Sequence, residues 1–344
     1  MAMIDTVIFI LLAWSFFQRV QLNAIETNGK LLLRENSTVL KGLSAFFVIA
    51  AHTHNWLKAY FTLTSYEKLT DVVLSQLGGI GVLIFFFLSG YGIQEGYGKG
   101  TVDNKYLIKR AENVLIPYAV LKLLFLFIEL FLGVTSFSNV PARLLGIATL
   151  EDWFIFVVVI EYIFYYVSKK LSSSSYSVII VLLDAALSIL FIYQGRADRF
   201  INSMWLFVFG VFVSRNQGKL LNTMTNNYFL MMALCFLLFV IFGGSFAINK
   251  GVLWADLFKP ISGVGICIFM VGLIRKINIR SPFLKWAGAR SLYLYIVHIW
   301  VIHILNKVCD NIGTKLLLYS VATLLIVECY YRGTKLIRRT IFGD

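Results

Sequence analysis

Lys41 and His52 are the residues whose types and spacing point most directly to chemistry. They stand eleven positions apart in one apolar stretch, Val39-Leu-Lys-Gly-Leu-Ser-Ala-Phe-Phe-Val-Ile-Ala-Ala-His52. In an α-helix a step of eleven closes about three full turns, so both side chains lie on one face. Along the axis they are roughly 16 Å apart, about half a hydrocarbon core. A lysine at a membrane edge attracts anions, and an imidazole near mid-depth exchanges protons near neutral pH. The two mark the ends of a path along a single stripe.

Other ionisable groups lie in apolar stretches, among them His54, Lys122, Glu129, Glu161, Asp184, His298, His303 and Glu328. Such groups are costly in lipid and face a bundle interior or a wet cavity. His54 is about 200° around the helix from His52, so the two do not share a site. His298 and His303 are about 140° apart, so only one of them joins any given site. Ser291, Tyr295 and His298 form a polar stripe at i, i+4 and i+7. A single histidine on an apolar helix is commonly a packing residue, and for His298 both readings stay open. Lys122 and Glu129, seven apart, suit a structural ion pair as well as a functional one.

Two further segments carry recognisable residue types. Gly78-Gly-Ile-Gly-Val-Leu-Ile-Phe-Phe-Phe-Leu-Ser-Gly-Tyr-Gly92 places small residues where helices in lipid approach closely, and it contains Ser89. It lacks the GxxxxGK[ST] pattern of a phosphate loop. Asn104-Lys-Tyr-Leu-Ile-Lys-Arg-Ala-Glu-Asn-Val-Leu-Ile-Pro117 sets Lys105, Lys109 and Arg110 beside a membrane mouth. Cations there suit the phosphates of a donor, or simple anchoring at the cytoplasmic face.

The elements that must position these groups are membrane helices. Of 344 residues 59% are hydrophobic and 14% charged, with a mean hydropathy of +0.78. Eleven apolar segments suit spans: 3–18, 39–60, 74–96, 113–134, 152–168, 176–194, 200–214, 228–246, 253–273, 289–307 and 314–331. The expected fold is an all-α polytopic bundle of ten or eleven transmembrane helices in one domain, with no fused soluble domain. The first segment is read as a retained span, because no A-x-A-like cleavage site follows it.

The net charge of +13 is not a nucleic-acid signature, because 21 of the 31 Lys and Arg fall in every second loop. That alternation places the amino terminus outside and the carboxyl terminus in the cytoplasm. The four cysteines lie in apolar stretches without CxxC spacing, so neither a disulfide framework nor a metal site is expected.

Three segments in order resemble the acyltransferase-3 family of integral membrane acyltransferases. Lys41-Gly-Leu-Ser-Ala-(x)6-His52 is similar to its Arg/Lys-x10-His motif. The Gly78–Gly92 run resembles its G-x-x-G-V-x-x-F-F-x-L-S-G-[FY] span. Leu284-Lys-Trp-Ala-Gly-Ala-Arg-Ser-Leu-Tyr-Leu-Tyr-Ile-Val-His298 resembles its late G-x-x-S-x-x-x-Y-x-x-H segment. Trp153-Phe154 and Phe209-Gly210 are weaker echoes.

The resemblance implies acyl transfer, commonly of acetyl, from cytoplasmic acyl-CoA to a hydroxyl of an envelope carbohydrate. The host implied is a bacterial cytoplasmic membrane. The acyl-CoA would act as a co-substrate, with no bound cofactor. His52 corresponds to the histidine regarded as catalytic, and Lys41 to its basic partner. The family often has two arginines three apart before the proline. Here Arg110 stands at the first place and Asn113 at the second, so one charge is missing and Lys109 is the available substitute.

On this reading His52 acts as general base toward the acceptor hydroxyl, or carries the acyl group covalently. Lys41, Lys109, Arg110 and Asn113 face the acyl-CoA. Ser89, Tyr295 and His298 are candidates to support the developing oxyanion. The main rival is a secondary transporter of a sugar or related solute, which also has many spans and mid-depth charges. No inverted repeat supports it.

Overall fold

The structure is a computed structural model. It describes the chain except residues 1, 19, 23–28, 63, 99–101, 104, 145–152, 196, 250–251 and 343–344. The start of the fifth expected span and the basic residues Arg19 and Lys99 therefore lie outside the described residues.

Each expected apolar segment is helical over most of its described residues, with 253–273 divided between two helices. In chain order the helices are α1 (Ala2–Phe17), α2 (Arg34–Leu57), α3 (Ser65–Tyr97), α4 (Lys105–Arg110), α5 (Ile116–Phe131), α6 (Val140–Leu144), α7 (Trp153–Leu171) and α8 (Tyr176–Tyr193). They continue with α9 (Ala197–Arg215), α10 (Gln217–Asn226), α11 (Tyr228–Ile248), α12 (Leu253–Asp256), α13 (Phe258–Lys276), α14 (Pro282–Ala289), α15 (Ser291–Val308) and α16 (Ile312–Phe342). Seven of the helical stretches among the described residues are long and apolar enough to cross a membrane. The fold is all-α, with one small addition. Strands β1 (Val20–Leu22) and β2 (Ile277–Ile279) pair antiparallel, Gln21 opposite Asn278.

Local chemistry sets the helix ends. Thr64 and Glu67 form a reciprocal capping box at the start of α3. Ser281 accepts from the backbone N–H of Leu284 at 3.2 Å, with Pro282 opening α14. Between α4 and α5 the chain makes a π-helical turn over Ala111–Leu115, running into Pro117. Such turns occur often at functional sites.

Helix α2 lies at the centre, packed on α3, α14 and α15. Two glycine contacts bring backbones together. A Cβ on Gly42 would run into the carbonyl of Leu284 on α14, and one on Gly90 into the carbonyl of Phe207 on α9. The outer helices carry large bare apolar side chains, such as Phe229 (82% exposed) and Phe131 (81%). A bilayer supplies the apolar surroundings those faces require.

One end of the bundle gathers the basic loops. Lys30 pairs with Glu95 at 3.0 Å, and Arg275 donates to the carbonyl of Lys30 at 2.7 Å. Gln217 donates to Glu95 at 2.7 Å and accepts from Tyr91 at 3.0 Å. Lys285 bonds to Glu35 and holds its carboxyl below the usual carboxylate range. The opposite end holds Asp5, His54, Lys58 and Asp71.

Candidate active site

His52 and His298 meet across the bundle core. Nδ1 of His52 is 2.8 Å from Nε2 of His298, the rings nearly parallel with centroids 5.0 Å apart. His298 is fully buried, and its Nδ1 lies 2.7 Å from the carbonyl of Leu294. A carbonyl only accepts, so Nδ1 of His298 carries the proton. In the neutral ring Nε2 is then an acceptor, and Nδ1 of His52 donates to it. That leaves Nε2 of His52 as its unprotonated nitrogen. Residues on two helices thus fix one tautomer and leave a base, with a backbone carbonyl in the orienting position.

Tyr295 flanks this pair. Its ring centroid lies 6.1 Å from that of His298 and 4.2 Å from that of Phe154. His303 turns elsewhere, toward Arg143 at 2.9 Å and Glu129 at 3.8 Å. Of the two late histidines only His298 joins His52. Glu129 is also 3.5 Å from Arg143, while Lys122 donates to the hydroxyl of Tyr118 at 3.0 Å.

Three turns away on α2 lies a second cluster. Lys41 is half-buried, and the charges that act on it are those of Arg110 and Arg34, both of its own sign. Arg110 sits in an aromatic cage, 5.7 Å from the ring centroids of Tyr106 and Tyr162 and 5.9 Å from that of Tyr97. The Tyr162 hydroxyl is in polar contact with Ser89 and Arg110. Nε of Arg110 is buried without a hydrogen-bond partner. Two neighbouring cations with an unfilled donor make a place that calls for an anion.

The residues of the basic loop divide between two spaces. Arg110 faces the cage. Lys109 and Asn113 line a separate groove of about 970 Å³ between the Lys105–Phe131 stretch and α16, with Lys105, Tyr330 and Thr334. Adjacent helical residues point about 100° apart, which explains the split. Lys109 therefore lies in a different space from the cage of Arg110. Tyr162 and its link to Ser89 were missed from sequence, as one tyrosine among 17 gives no signal.

At the opposite end, one turn beyond His52, Trp56 donates to Asn306 at 2.7 Å. Tyr60 reaches the same oxygen at 3.3 Å and accepts from Lys315 at 2.8 Å. This polar, aromatic rim lies at the far end of α2 from Lys41. His54 is fully buried beside it, with Nδ1 2.8 Å from Asp5 and Nε2 2.8 Å from Asp71. It bridges α1 and α3 and takes no part in the His52 pair.

A family model described as an acyltransferase domain matches residues 35–330. The chain belongs to this acyltransferase family. The match takes in both clusters, from Lys41 and His52 through Ser89, Arg110 and Tyr162 to Tyr295 and His298. No curated protein and no solved structure matches the chain. With its apolar helices, the protein is a multi-pass membrane acyltransferase.

Proposed function

We propose that this acyltransferase moves an acetyl group from cytoplasmic acetyl-CoA to a hydroxyl of a cell-envelope carbohydrate. It would do so in the bacterial cytoplasmic membrane, with its amino terminus outside. The observation that carries this reading is the layout of α2. One end bears two neighbouring cations with no carboxylate beside Lys41 among the described residues, and the other an oriented imidazole, roughly 16 Å along one face.

Lys41 and Arg110 hold the phosphates of acyl-CoA, and the pantetheine arm runs along α2 toward His52. Nε2 of His52 takes the proton of the acceptor hydroxyl as its oxygen attacks the thioester carbonyl. The carbon–sulfur bond breaks, and the proton passes to the departing CoA sulfur. His298 holds the tautomer and shares the charge that forms on His52. Tyr295 stands beside the pair as a donor to the developing oxyanion. The rim of Trp56, Tyr60 and Asn306 offers an aromatic face and amide bonding to a sugar. The same unprotonated nitrogen suits a covalent acyl-histidine, which a labelled acyl group retained on protein without acceptor would reveal.

The test compares ester content of purified envelope glycans from unmodified, gene-deleted and His52→Ala strains at equal membrane abundance. Loss of one ester in both altered strains is expected, with transfer in His52→Ala membranes reduced by about 10²-fold or more. Loss on deletion alone would refute the role of His52. An unchanged glycan in both would refute the acceptor class.

A further inference from the structure

The interface of α7 and α8 holds polar groups that this reaction does not use. Glu161 and Asp184 are both fully buried, each about two turns into its helix. They are close enough for their charges to interact. All four carboxyl oxygens lack a hydrogen-bond partner among the described residues. Ser188, one turn beyond Asp184 and on its face, is 7% exposed, and its hydroxyl is likewise without a partner. Around them stand Val157, Val158 and Ile180.

Two ionised carboxylates side by side in such surroundings cost several kcal/mol each, before their mutual repulsion. A positive partner is required. Among the described side chains, the cations on α7, α8 and α9 are engaged elsewhere: Lys169 donates to the carbonyl of Gly98 at 3.1 Å, Lys170 lies over the ring of Tyr166 at 5.7 Å, and Arg215 donates to Ser177 at 2.7 Å. The tyrosines there are also occupied, Tyr165 and Tyr176 both donating to Gln94 at 3.0 Å. A proton needs no further ligands and lets one carboxyl donate to the other.

We propose that Glu161 and Asp184 form a proton-binding site, occupied at neutral pH, with the Ser188 hydroxyl as its third oxygen. The site stands apart from acyl transfer and does not depend on which acceptor is used.

Infrared spectroscopy of the purified protein in lipid nanodiscs tests it, because a protonated carboxyl has a carbonyl band distinct from that of a carboxylate. Wild type at neutral pH should show such a band, sensitive to deuterium and unchanged by sodium ions. The band should disappear in E161Q/D184N. Absence of the band from wild type would overturn the proposal, as would an equal band in the double variant. A band that appears only when sodium is removed would also overturn it, making sodium the occupant. If the double variant does not fold, the wild-type sodium series and the single variants E161Q and D184N carry the test. With glutamate and aspartate labelled at the carboxyl carbon, a wild-type band unmoved by either label would equally refute it.

Discussion

Arg110 and Lys109 are neighbours in the chain and serve different spaces, and that difference has a measurable result. Arg110 is caged by three tyrosines beside Lys41, while Lys109 lines the outer groove. Arg110→Ala should raise the KM for acetyl-CoA by about 10- to 100-fold, the range for losing one or two charged hydrogen bonds. Steady-state kinetics with donor varied checks this, and Lys109→Ala should leave that KM nearly unchanged. At this scale the sequence located Lys41 and His52, because both lie on one helix and helical geometry alone relates them. It left His298 and His303 undecided. Their choice rests on which face of α15 meets α2, a contact 246 positions apart in the chain. The cage of Arg110 was not legible for the same reason, as it is assembled from three separate helices.

Elements are held by small residues and by one buried histidine. Where α3 crosses α9, Gly90 leaves no room for even a methyl group against the backbone of Phe207. Gly90→Ala should lower stability by about 1–3 kcal/mol, the cost of overpacking. Thermal unfolding in detergent would register it as a fall in midpoint. His54 joins α1 to α3 through Asp5 and Asp71, with Lys58 adding a contact to Asp71 at 2.9 Å. His54→Ala strands buried Asp5 and should cost about 3–5 kcal/mol. Limited proteolysis should then cut near α1 faster than in wild type. The glycine run announced close approach, and Gly90 fulfils it, whereas Gly92 meets nothing within 4 Å. The role of His54 was not legible, because Asp5 is 49 residues away and on another helix.

The whole molecule has a polarity that its loops express. Lys30, Glu95, Gln217, Arg275 and Lys285 knit one end together, and the apolar segments read from the sequence are helical over most of their described residues. Hydropathy made those segments legible, because lipid imposes length and composition on each helix separately. Their arrangement depends on contacts between distant stretches and was not. If the basic end is cytoplasmic, a fluorescent protein fused after Asp344 should fluoresce, and alkaline phosphatase fused there should be inactive. The reverse result would invert the assigned orientation.

The crossing of α2 by α14 and its meeting with α15 also set a timetable. His52 must wait 246 residues for His298. At about 5–20 residues per second that is roughly 12–50 s of translation. Until then the Gly42 face of α2 lacks the helix that will cover it. A nascent chain stopped before α14 therefore lacks both the partner of His52 and the cover of the Gly42 face. Biogenesis, and with it quality control of this protein, turns on the chain from Pro282 onward.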